Sequence, residues 1–91
     1  MAPITLAIVS ALLVDVAGRT YAIPLASVSE AIRFEEAGVR VVDGREVMTL
    51  RGSTLPLCRL DRLLQLSTPS GWRRQFVVVA SLGSRRLGLV V

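Results

Sequence analysis

The chain has no histidine, no lysine and a single cysteine, and only four of its 91 residues are aromatic. Each shortage removes a kind of chemistry. Phosphoryl transfer on imidazole needs a histidine, and so does activation of a cysteine nucleophile. A lone Cys58 with no histidine assembles no metal-ligand set. It also forms no intrachain disulfide, which fits a cytoplasmic protein, and it reads as a small strand residue. The glycines stand singly in turns, with no G-x-G or G-K-[ST] context to cradle a phosphate. The one adjacent pair of acids, Glu35-Glu36, falls on a polar loop, where solvation explains it. The longest apolar run, Ile4 to Val14, is broken by Thr5 and Ser10 and stopped by Asp15, short of the roughly 20 residues of a bilayer helix. No cation precedes it, and the Asp-Val-Ala-Gly that follows is a poor cleavage site for a secretory leader. These absences argue against an enzyme, a cofactor, a metal, a small-molecule substrate and membrane insertion.

What is present is apolar and arginine-rich. Hydrophobic residues make up 52% of the chain, although a domain this short buries only about 60% of its unfolded surface. Either the β core is tightly packed or some apolar surface awaits a partner or a missing half. All 11 basic residues are arginine, against 7 acids, for a net charge of +4. Arginine suits bidentate and stacked protein contacts. The arginines are interleaved with acids until the last quarter of the chain.

The pattern along the chain is β. Met1 to Ser10 reads as an incoming extended segment. Leu12, Val14 and Val16 then alternate with Leu13 and Asp15, as in a half-buried strand. A turn at Ala17-Gly18 or Gly18-Arg19 returns through Thr20 to Ile23, and Pro24 ends the pairing because it lacks an amide donor. Ser27 followed by Glu30 reads as a capping box, predicting a short helix with Leu25, Val28 and Ile32 along one side. Phe34 to Gly38 is a polar loop. Val39–Val42, the Asp43-Gly44 hairpin turn and Glu46–Leu50 follow. Arg51-Gly52-Ser53 turns into Leu55–Arg59, and Gly52 marks a backbone position that needs positive φ. Leu60, Leu63 and Leu64 predict a helical turn that plugs one end of a barrel. Ser67 to Gly71 is the one linker. A last hairpin, Gln75–Leu82 and Arg85–Val91 about Gly83-Ser84, echoes the first one.

The segments Tyr21-Ala22-Ile23-Pro24-Leu25, Val28 with Glu30-Ala31-Ile32, Gly44 to Gly52 (Gly-Arg-Glu-Val-Met-Thr-Leu-Arg-Gly) and Leu55-Pro56-Leu57 together resemble the CheW-like domain of bacterial chemotaxis. That domain occurs as a free adaptor and as the C-terminal regulatory domain of the CheA histidine kinase. Ala2 to Ile8 is similar to the segment that enters the kinase version, which favours that version over an adaptor fragment. The resemblance implies an all-β fold: an SH3-like five-stranded barrel with one or two short helices, plus the opening hairpin of a second barrel. On that basis residues 1–10 are a linker from a preceding kinase domain, 11–66 the first barrel, 67–74 a linker, and 75–91 the first hairpin of a truncated second barrel.

The function implied is that of a cytoplasmic protein-interaction module at receptor arrays. It docks a kinase to a CheW-type adaptor and to chemoreceptor cytoplasmic tips. The expected partner-binding residues are Arg51 at the turn and Tyr21, Ile23 and Leu25 at a strand end, with Arg59 and Arg62 as rim charges. The residue 75–91 hairpin, with open edges, is expected to self-associate or to fold back onto the first barrel. The alternative is a small basic barrel that binds nucleic acid through Arg73-Arg74 beside Trp72 and through Arg85-Arg86.

Overall fold

The computed structural model describes residues 4, 6 and 9–91. It contains eight strands: β1 (Ala11–Val16), β2 (Arg19–Pro24), β3 (Val28–Arg33), β4 (Arg40–Val42), β5 (Arg45–Leu50), β6 (Ser53–Arg59), β7 (Phe76–Leu82) and β8 (Arg85–Val90). One short helix, α1 (Leu60–Leu63), and two single 3-10 turns complete the regular structure. The expected linker over residues 1–10 lies in large part outside the described residues.

Tight turns set the strand pairs. Ala17-Gly18, Asp43-Gly44 and Arg51-Gly52 each place two successive residues at positive φ. This mirror-image turn matches the right-handed twist of the flanking strands. Gly83 alone has positive φ at the fourth turn, so Ser84 sits in an ordinary conformation. Among the described residues β1 and β2 pair only with each other, whereas the other strands form one sheet in the order β3-β7-β8-β6-β5-β4.

Strand β7 explains how this sheet is covered. Its run Val77-Val78-Val79-Ala80 is buried at every position, the signature of a strand with both faces dry. On one face Val77, Val79 and Val90 pack with Leu55, Ile32, Phe34, Met48 and Leu50. β3 and β5 contribute to the same interior, so the sheet curls around it. On the other face Val78, Leu89 and Val91 meet Leu12, Val14, Val16, Tyr21 and Ile23 of the β1–β2 hairpin, with Leu60 and Leu66. Gly88 lies on the curled face, where a Cβ would come within 2.8 Å of Leu57 and Val77 methyl groups. Only a residue without a side chain lets β8 approach β6 there.

The all-β class holds, but the strands are grouped differently from their order in the chain. Residues 75–91 do not stand apart: β7 pairs antiparallel with β3, and β8 pairs parallel with β6. Both strands therefore have a neighbour on each side over part of their length, and the edge left open in 75–91 is the short stretch Arg85–Leu87 of β8. The hairpin folds back onto the rest of the sheet, which is one of the two outcomes expected for it. Residues from both 11–66 and 75–91 contribute to each packed interior.

The helix predicted from the Ser27 capping box is strand β3. Its β-branched Val28 and Ile32, which pair with Ala80 and Val77 of β7, gain more from a ladder than an isolated turn gains from a cap. A bulge between Val28 and Glu30 leaves Ser29 out of the register, and its hydroxyl hydrogen-bonds the Ser81 hydroxyl at 3.2 Å. The plug over Leu60–Leu64 is partial. Leu60 is buried, while Leu63 and Leu64 face solvent.

Candidate protein-docking site

Strand direction divides the curled sheet into two poles. β6 and β8 run parallel and both begin at a turn, so Arg51-Gly52 and Gly83-Ser84 lie at the same pole. β3 runs antiparallel to β7, which brings Leu25–Ser27 and Glu30 to this turn pole as well. The opposite pole carries the end of β6, α1, the Asp43-Gly44 turn and the residue 67–75 connection. The expected site residues are thereby split. Arg51 and Leu25 lie at the turn pole, Arg59 and Arg62 at the helix pole, and Tyr21 and Ile23 on the inner side of the β1–β2 hairpin against the core. Eight strand steps separate Arg51 from Arg59, about 25 Å along β6.

At the helix pole Arg59 is a frame member rather than a rim charge. The alternation Leu55, Leu57, Arg59 turns its side chain inward, where it is only 7% exposed. Its Nε and Nη2 donate to Glu46 at 2.8 Å each, while Nη1 and Nη2 donate to Glu36 at 2.8 and 2.9 Å. The guanidinium also lies 5.3 Å from the centroid of the Phe34 ring. Hydrogen bonds from Arg59 hold both carboxyls below the usual glutamate range despite their partial desolvation. The same bonds, those accepted by Glu36 first and then those accepted by Glu46, raise the arginine further above its ordinary value. Arg62 stays exposed, 3.7 Å from Glu46.

A second lock lies beside it. Asp61 is buried and accepts hydrogen bonds from Arg74 Nε at 3.0 Å and Nη2 at 2.7 Å. Burial alone would push this carboxyl up. The Arg74 hydrogen bond and charge, with the backbone amides of Asp61 and Arg62, outweigh it and hold the group below its ordinary value. Arg74 also lies over Trp72, 5.9 Å from the ring centroid. This arginine is therefore engaged inside the fold, and Arg85-Arg86 sit at the far pole. The single basic patch that the nucleic-acid alternative required does not form.

At the turn pole Arg51 pairs with Glu30 across the curl. The arginine side chain remains 70% exposed. The hydrogen bond from Arg51 is the main cause of a lowered Glu30 carboxyl, and the charge of Arg86 adds to it. Around these poles several large apolar side chains face outward, among them Leu13, Val41, Val42 and Phe76. A groove of about 330 Å³ opens between β1 and the β3–β7 pair, lined by Leu13, Ala31, Trp72, Phe76, Val78 and Val91. Cys58 is half-buried, and desolvation raises its thiol above the usual value, which keeps it protonated. No group of three or more His, Cys, Asp or Glu side chains able to hold a metal occurs among the described residues. No helix among them is long and apolar enough to cross a membrane.

The partners Glu30, Glu36, Glu46, Asp61, Arg74 and Phe34 were not anticipated. A signal was available for the partners of Arg59. An arginine that continues the inward leucine register of a strand requires carboxylates within reach.

The model of the CheW-like domain matches residues 10–91. The chain belongs to the CheW-like domain family. This CheW-like domain is 38% identical over 98% of its length to "Sensor histidine kinase CheAY" of Helicobacter pylori, and 36% identical over 98% to "Chemotaxis protein CheA" of Treponema pallidum. It spans 11% of each of those relatives, about a tenth of their length. Among solved structures, the scaffolding protein TtCheW from Thermoanaerobacter tengcongensis shares the fold. The TM-score is 0.71 at 16% identity, covering 91% of this chain and 59% of that one. The expectation of a CheW-like domain similar to the kinase version thus holds.

Proposed function

We propose that this domain is a protein-interaction module of chemotaxis signalling that couples a histidine kinase to a CheW-type adaptor and to chemoreceptor cytoplasmic tips. Its place would be the cytoplasm, at receptor arrays, as a regulatory part of a larger kinase rather than as the catalyst. The observation that carries this reading is the likeness to CheA proteins across 98% of the chain. The geometry supports it. Arg59 and Asp61 spend their charges on holding the frame, and Arg62 stands beside Glu46 at the same pole, while Arg51, Leu25 and the outward apolar residues remain available to a partner. A stiff β frame with apolar anchors and peripheral arginines gives a partner both contact energy and orientation.

Co-elution with a CheW-type adaptor on size exclusion tests the proposal. The wild type is expected to co-elute. Arg51→Glu, which sets two acids together with Glu30 at the turn pole, is expected to abolish the complex, and Arg62→Glu to leave it. Equal binding by Arg51→Glu removes Arg51 from the site. A wild type that does not co-elute overturns the proposal.

A further inference from the structure

The pairing of β6 leaves a gap at the turn pole. Residues Ser53–Pro56 pair with β5, but β6 meets β8 only over Leu57–Arg59. Likewise Arg85–Leu87 pair with β7 and not with β6. The two hairpins therefore diverge as they approach their turns, and the facing edges of Ser53–Pro56 and Arg85–Leu87 carry no ladder between them. The space between the arms has a volume of about 300 Å³. Its floor is Leu50 and Leu55, and its walls bring Ser53, Thr54, Ser84 and Arg86 together.

Charge at this pole is one-sided. Arg51, Arg85 and Arg86 gather there, with Glu30 the acid among them, and Glu30 is already engaged by Arg51. The acids Glu36, Glu46 and Asp61 lie at the helix pole, occupied by Arg59 and Arg74. Among the described residues Arg86 makes no ion pair. A cation set beside three hydroxyls, above two leucines and between two unpaired strand edges, presents a defined set of complements. It calls for a carboxylate, an apolar neighbour and an extended backbone.

We propose that this cleft receives an extended acidic segment of a partner protein, with an aspartate or glutamate carboxylate against Arg86 and an apolar side chain over Leu50 and Leu55. The proposal rests on the reading of the domain as an interaction module and adds where one contact falls and what chemistry it selects. Arg86 orients the segment, and the strand edges give it backbone partners.

The test is a fluorescence-anisotropy titration of the 91-residue chain with a labelled peptide that alternates leucine and glutamate. A leucine–glutamine peptide serves as control and inorganic phosphate as competitor. The acidic peptide should bind saturably. Arg86→Gln should weaken it about tenfold, the order expected for a lost charge-assisted hydrogen bond. Arg86→Lys should recover part of the loss, and Arg62→Gln at the far pole should change nothing. Equal weakening by Arg62→Gln and Arg86→Gln overturns the proposal, because binding would then follow net charge alone. Equal binding of the glutamine peptide overturns it, as does displacement by phosphate at concentrations comparable to the peptide, which marks a simple anion site. Adaptor co-elution is run in parallel. If Arg86→Gln co-elutes like the wild type, the interaction role stands and the cleft is not its contact. If the wild type fails to co-elute, the general reading fails while the peptide titration still decides the cleft. Arg86 is exposed, so urea midpoints of the variants should match that of the wild type.

Discussion

The two poles of this small sheet use the same pair of residue types for opposite ends. At the helix pole an arginine is withdrawn from water and gripped by two glutamates and an aromatic face. At the turn pole Arg51 meets Glu30 with most of its side chain still in solvent. An ion pair in water gains little, because the high dielectric weakens the attraction and holding two long side chains costs entropy. A withdrawn arginine cannot be left alone without a large penalty. The first pair therefore belongs to the frame, and the second stays free to exchange its partner for one from another protein.

The largest test of this contrast is Arg59→Met, which fills the volume but leaves Glu36 without its arginine and Glu46 with only the more distant Arg62. Glu36 keeps substantial solvent contact, so the loss should be about 2–3 kcal/mol, below the full cost of breaking a buried pair. Urea unfolding measures it, and a shift no larger than that of Arg51→Gln would erase the distinction between the poles. Asp61→Asn should follow at about 2 kcal/mol, because Arg74 loses the charge it faces while the shape is kept.

Acid titration sharpens the comparison. Glu36, Glu46 and Asp61 all have depressed folded values. Each binds fewer protons in the native state, so each contributes stability that is complete above the unfolded carboxyl range and is lost as the pH falls through the folded value. The urea midpoint should be flat from neutrality to about pH 5 and fall below about pH 4. In Arg59→Met the acid limb should be shallower. The smallest effect is expected for Arg51→Gln, whose midpoint should match the wild type within error, while its adaptor binding falls.

Much of the local structure could be read from the residues because the relevant constraints were local. Asp43-Gly44, Gly18, Gly52 and Gly83 announce turns since few other residues tolerate positive φ. The alternation of Leu12, Val14 and Val16 declares a strand with one dry face. The failures share a cause in sequence distance. β3 reads as a helix start until β7, far along the chain, offers it a ladder. The parallel contact of β6 with β8 has no signature within either strand. Arg59 reads as a rim charge because its carboxylate partners come from two other segments, one of them a loop pair that reads as ordinary solvation. Of the site, Arg51 and its turn were visible, whereas the cleft beside it depends on where two hairpins part company.

Strand β7 forms one party wall for two chambers, and this has a mechanical consequence. A shift of that wall by a fraction of an ångström is felt by the hairpin on one side and by the curled interior on the other, since close-packed side chains pass displacement on. Pressure applied to the β1–β2 hairpin would thus reach the arginine-bearing turns without any hinge, carried by valines alone.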